Sequence, residues 1–278
     1  MLANSYTYNI SGKVYTYHAF HSFKIIDLIN DDCLKDYTVD LDFDIKLVGI
    51  NSLGGSFIDF KITAISLPEE INDEISYNIK PFLTEYQNIT NHLMLKLNTE
   101  GNISSIENLE ELKQKWIVLR DKLIKLSGQQ EIDEMRIRGD IEFGEESNYE
   151  ERIKKSLFFK TLFPKIQNQF LENDALLEAH EVTSSVLPDL EIPVKVYFDL
   201  KDEMINLSTE LVQDDFENII GKQKASNPEL EINSFFINCN SSYFLDASNY
   251  IHKAETIKIE TLNGEDETID HIIISRVL

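Results

Sequence analysis

The sequence predicts an α+β fold: a curved antiparallel sheet built from the N- and C-terminal segments and packed on one face by a central helical layer. Two observations predict it. Apolar and polar residues alternate with period two near both ends of the chain, and between them lie leucines at helical spacing. Strands, then helices, then strands is the order expected of this class.

Taken in order, Tyr6, Tyr8 and Ile10 alternate before a Ser11-Gly12 turn, and a second strand runs from Val14 to Phe20 or beyond. The clearest strand carries Tyr37, Val39, Leu41, Phe43, Ile45 and Leu47 on one face. Thr38, Asp40, Asp42, Asp44 and Lys46 fall on the other, because successive strand side chains point to opposite sides. A turn over Asn51 to Gly55 leads into Ile58, Phe60, Ile62 and Ala64, again alternating. Such a one-sided meander needs a cover for its apolar face. Ile75 to Tyr86 reads as a weak helix broken by Pro81, and Leu93, Leu95 and Leu97 as a short strand closed by a turn at Glu100-Gly101.

Leu109, Leu112, Trp116, Leu119, Leu123 and Leu126 lie on one helical stripe, with Asn108 and Glu111 as a capping box and Ser127-Gly128 as the stop. Too few heptads are present for a coiled coil, so covering the meander is the expected role. Residues 129–151 are charged and read as an exposed connection. Ser147 and Glu150 form a second capping box for a helix with Ile153, Leu157, Phe158 and Leu162 on its stripe. Pro164 ends or kinks that helix, with Ile166 and Phe170 beyond it.

Alternation returns at Ile192, Val194, Val196, Phe198 and Leu200, and Ile205-Leu207 opens another strand. A short helix over Asp214 to Ile220 stops at Gly221; Leu230 to Asn238 and Ser242 to Asp246 are strand-like. A hairpin turning at Asn263-Gly264 joins Glu255–Thr261 to Thr268–Val277. The helix pair needs more apolar surface than the first meander offers, so residues 1–278 are expected to form one unit. The alternative is two subdomains, 1–140 and 147–278.

The succession of strands, helical insertion and returning strands resembles the half-barrel lipoprotein carriers of the bacterial envelope. So does the segment Leu95-Lys96-Leu97-Asn98-Thr99-Glu100-Gly101-Asn102-Ile103, which runs into the helix with Asn108 and Trp116. It is also similar to uncharacterised bacterial proteins of that build. The resemblance implies a curved sheet cupping an apolar ligand and carries over no site residue.

Charge and composition narrow the function classes. The 278-residue chain has 26 basic and 49 acidic side chains, a formal net charge of −23. Nucleic-acid binding draws on clusters of Lys and Arg that displace counterions, and anionic membrane surfaces favour the same clusters. None is read from the chain, so neither partner is expected, and a basic protein would be steered in by the field. Cys33 and Cys239 are too few for a disulfide framework and read as free thiols in a reducing compartment. The first residues lack a signal peptide's basic and apolar regions, and the most apolar window, Leu157 to Phe163, is too short to span a bilayer. Cytoplasm is expected, or the periplasm or envelope for a chain cleaved from a signal.

Signatures of chemistry are sparse. Gly54-Gly55-Ser56 lacks the phosphate-loop pattern, and no Gly-x-Ser-x-Gly elbow occurs. His18 and His21, three apart on a strand, point to opposite faces and so do not converge on a metal. No cofactor, metal or catalytic residue is expected. Asp40, Asp42 and Asp44 form an acidic row, and Glu142, Glu145 and Glu146 a second group; these are the candidate contacts for a basic partner. The expectation is a non-enzymatic cytoplasmic protein-binding module of immunity or adaptor type, its partner a toxin or secretion-system component. The alternative is a half-barrel carrier of an apolar ligand or lipid, with Tyr6, Tyr8, Phe57, Phe60 and Phe158 as apolar material.

Overall fold

The computed structural model describes residues 13–50, 54–66, 80–126, 128–144, 147–164, 175–187, 190–201, 203–226, 231–246 and 251–277. Among these, β1 (Val14–Asp27), β2 (Asp32–Ile50), β3 (Ser56–Ser66), β4 (His92–Leu97) and β5 (Ile103–Ile106) form one antiparallel meander. β6 (Ala175–Thr183), β7 (Glu191–Lys201), β8 (Met204–Leu211), β9 (Phe235–Leu245), β10 (Ile251–Leu262) and β11 (Asp266–Arg276) form a second. Pairing of β1 with β11 zips the two into a curved open sheet of order β5-β4-β3-β2-β1-β11-β10-β9-β8-β7-β6. Both ends of the chain thus contribute to the same sheet, as the sequence predicts.

The faces follow from the alternation. Phe43 and Ile45 on β2 are fully buried, and Ile45 pairs with Phe60, which pairs with Leu93. Across the seam Ala19 meets Ile274 and His21 meets Ile272, so the inner face continues from one meander into the other. Burial of each large aliphatic or aromatic side chain on this face contributes about 1.5–3 kcal/mol.

Helices cover that face: α1 (Lys80–Thr90), α2 (Leu109–Ile124), α3 (Gln130–Phe143), α4 (Tyr149–Lys155) and α5 (Leu157–Leu162), with α6 (Gln213–Ser226) joining β8 to β9. From α5, Phe158 packs edge-on against Phe43 and Phe60, with ring centroids 5.6 and 6.2 Å apart, and Phe159 meets Phe60 at 5.3 Å. From α2, Leu112, Trp116, Leu119 and Leu123 are buried, as their stripe predicts. At the last hairpin Asn263 and Gly264 both have positive φ, 55° and 69°, the backbone a two-residue primed turn demands. Among the described residues no helix is long and apolar enough to cross a membrane.

Several expectations are corrected. The supposed exposed connection holds α3, which buries Ile132, Met135, Gly139 and Phe143. Pro81 stands in the first turn of α1, where its missing N–H leaves no hydrogen bond unmade. α6 continues through Gly221, and β9 is one strand rather than two. Neither capping box forms. Asn108 instead accepts from the Met94 N–H (2.9 Å) and donates to the His92 carbonyl (3.0 Å), tying α2 to β4. Glu150 reaches β5 and Lys154. The helix expected after Ser147 is broken at Ser156, whose ψ of 130° separates α4 from α5, while the end of α5 just before Pro164 agrees with the expectation. The strand before Ser11, the residues around Ile75, and Ile166 and Phe170 lie outside the described residues.

Candidate functional site: a cavity between sheet and helices

Side-chain size sets where the sheet and its cover touch. On the N-terminal meander the inner face presents Phe43, Phe60, Ile58 and Leu95, which fill the space up to the helices. On the C-terminal meander the matching positions of β8 to β10 carry Thr209, Cys239, Ser241, Ala254 and Thr256. These short side chains leave a cavity of about 430 Å³ beneath α4 and α5, within the range of small-molecule sites.

Its deep end is built from buried residues. Val196 and Tyr243 come from the sheet, Phe159 and Phe163 from α5 and the residue that follows it. Burial there pushes the Tyr243 hydroxyl well above its ordinary value and the Cys239 thiol up to about 12, which leaves Cys239 a poor nucleophile. The polar groups at this end satisfy one another. Thr161 donates to Thr256 at 2.9 Å, and Ser241 and Thr256 share a hydrogen bond of 2.8 Å. The open end carries Lys154, Lys155 and Lys160 together with His180, the Glu181 backbone carbonyl, and the carboxylates of Glu151 and Glu191.

Beside the cavity the inner face holds a buried ionic group. Lys258 lies opposite Cys239 and next to Glu260, 3.1 Å away, the two side chains 4% and 0% exposed. The ammonium donates to the Thr183 carbonyl (3.0 Å) and Ser185 Oγ (2.6 Å), and Glu260 accepts from the Ser185 N–H (2.7 Å). Across β11, Asp270 contacts His21 Nε2 at 2.6 Å. Among the described residues no group of three or more His, Cys, Asp or Glu is placed to hold a metal.

The acidic row sits elsewhere, on the face of β2 opposite Phe43 and Ile45. Thr16 donates to Asp44 at 2.7 Å, and His18 lies 2.8 Å from Asp42 and 3.4 Å from Asp40, so β1 supplies partners for all three. His18 and His21 do point to opposite faces. Glu142 belongs to an internal network: it accepts from Tyr86 and from Arg152 (2.6 Å). Burial first, and that carboxylate second, push the Tyr86 hydroxyl far above its ordinary value. Glu145 and Glu146 lie outside the described residues.

Nothing in the sequence pattern singled out Thr161, Ser241, Thr256 or Lys258, which look like ordinary strand and helix residues one at a time. One signal was there. Residues 152–160 hold four basic side chains and no acidic one, a local run hidden by the chain's overall acidity.

Fold and site together define an open-sheet α+β protein with a ligand-sized cavity under its helical cover. No family model and no curated protein matches the chain. Among solved structures, one described as "lipid-protein interactions in lipovitellin" aligns with 96% of this chain at 10% identity and a TM-score of 0.44. The alignment spans 25% of that chain, so the present protein corresponds to about a quarter of its length.

Proposed function

We propose that this protein binds and carries a small, largely apolar molecule in the cavity between β6–β10 and α4–α5. The carrying observation is the cavity itself, about 430 Å³, with Val196, Phe159, Phe163 and Tyr243 at its deep end, inner hydroxyls paired among themselves, and charged side chains at its mouth. Apolar walls with a few polar groups that fix orientation are the usual make-up of such sites. Uptake of single-chain amphiphiles, followed by displacement of a fluorescent fatty-chain probe, tests the reading. Affinity should rise about fourfold per added methylene until the cavity is full. Val196→Phe and Leu207→Phe, each checked for an unchanged circular dichroism spectrum, should abolish uptake. Saturable binding that neither substitution disturbs, or no binding at all, would overturn it.

A second reading makes the chain a protein-binding module for a basic partner. It is supported by Asp40 and Asp42, whose side chains remain 46% and 47% exposed on the solvent-facing side of β2. A one-to-one complex with a basic protein that weakens with salt, and weakens again in D40N/D42N, would favour it. A complex insensitive to both would count against it.

A further inference from the structure

We infer that the molecule held in this cavity is a fatty acid, its tail in the deep end and its carboxylate at Lys155. The inference rests on the carrier reading above and adds the chemistry of the head group. Three of the four basic side chains in residues 152–160 line the cavity, in a chain of net charge −23. They are not equivalent. Lys154 is held by Glu150 at 2.7 Å and Glu151 at 3.0 Å, and Lys160 donates to the Glu181 carbonyl (3.4 Å) and Thr183 Oγ1 (3.3 Å). Lys155 differs. Among the described residues its ammonium has no hydrogen-bond acceptor in reach, and the nearest carboxylate oxygen, on Glu191, is 3.9 Å away.

The Lys155 side chain is 36% exposed at the mouth of the cavity. Removed partly from water, it interacts with an anion more strongly than it would in solvent. A tail entering the deep end places its head at this level, because the deep hydroxyls are already paired among themselves. The charge of the head is limited from both sides. A cationic head would meet three ammonium groups. A doubly charged phosphate monoester would meet the carboxylates of Glu151, 3.0 Å from Lys154, and Glu191, 3.9 Å from Lys155, and like charges there cost more for two charges than for one. A single carboxylate fits both limits.

The test compares three ligands with one tail, hexadecanoate, hexadecanol and hexadecyl phosphate, on the full chain by displacement titration. Hexadecanoate should bind about tenfold more tightly than the alcohol, the worth of one charge-assisted contact, and this preference should shrink as salt is added. K155Q should bring the ratio of acid to alcohol affinity close to one, and K155R should keep it. Because the readout is a ratio within each variant, a general loss of stability does not mimic the effect. Equal binding of acid and alcohol by the natural chain would overturn the head-group assignment and leave the carrier reading standing. Tighter binding of the phosphate would overturn the choice of carboxylate. Failure of all three ligands would remove the carrier reading, and this inference with it.

Discussion

At position 139 the structure accepts a hydrogen and nothing larger. A Cβ built on Gly139 would stand 2.1–2.4 Å from three ring atoms of Trp116. The ring cannot swing aside easily: its N–H donates to Asp140 at 3.1 Å, and Tyr86 and Phe143 pack against it. Alanine is normally the better helix residue by roughly 1 kcal/mol. Overpacking against a fixed ring costs about 1–3 kcal/mol, so the clash should win and Gly139→Ala should destabilise α2 against α3. Trp116 is the only tryptophan, which makes its fluorescence a local probe. A shifted emission maximum and a lower urea midpoint are expected; an unchanged spectrum with equal or higher stability would show that the ring yields.

Between elements, Glu150 joins α4 to the edge strand β5. One oxygen accepts the Ile106 N–H at 2.9 Å and the other pairs with Lys154 at 2.7 Å. Burial pushes this carboxyl up, but the Lys154 and Ile106 donors outweigh it and hold the group below its ordinary 4.5. A depressed folded value means stability that is fully present above about pH 4.5 and is lost as pH falls through the folded value. Glu150→Gln should therefore cost about 1 kcal/mol at pH 7, a figure kept small because the side chain is partly solvated. The gap to the natural chain should close in acid. Denaturant titrations at pH 7 and pH 3.5 check this, and a gap that stays constant would rule out the ionic contribution. The sequence had marked Glu150 as half of a capping box, since Ser-x-x-Glu is a local pattern and β5 is a distant partner. Legibility divides the same way elsewhere. β2 and most of α2 are read correctly because their apolar periodicity is unbroken, although α2 ends at Ile124 and leaves Leu126 beyond it, 39% exposed. α3 is missed because its core stripe includes a glycine, which carries no hydrophobic signal, amid acidic neighbours.

For the whole molecule, one strand of the C-terminal meander, β10, departs from the rule that apolar residues face inward, a rule that β7 and β9 keep. On β10 the inner face carries Ala254, Thr256, Lys258 and Glu260, whereas Ile257 and Ile259 turn outward. Alternation alone would assign those faces the other way round, which is one reason the cavity is not legible in the sequence: part of its floor, Thr256, reads as solvent-facing. The inversion has an energetic consequence. Lys258 and Glu260 anchor the segment after β6 through Thr183 and Ser185, yet Glu260 Oε1 and Thr268 Oγ1 have no hydrogen-bond partner among the described residues. A buried carboxylate satisfied on one side only is a costly group, so the pair contributes position more than net stability. Lys258→Met should leave Glu260 as an uncompensated buried charge and destabilise the fold by about 3–5 kcal/mol. The double variant K258M/E260L removes both charges and should recover most of that loss, giving a large coupling energy in the double-mutant cycle. Hydrogen exchange at the Ser185 amide should still be faster in the double variant than in the natural chain, because its acceptor is gone. If Lys258→Met alone were neutral, the ion pair would not be what holds this segment against the sheet, and the wall of the cavity beside it would need another anchor.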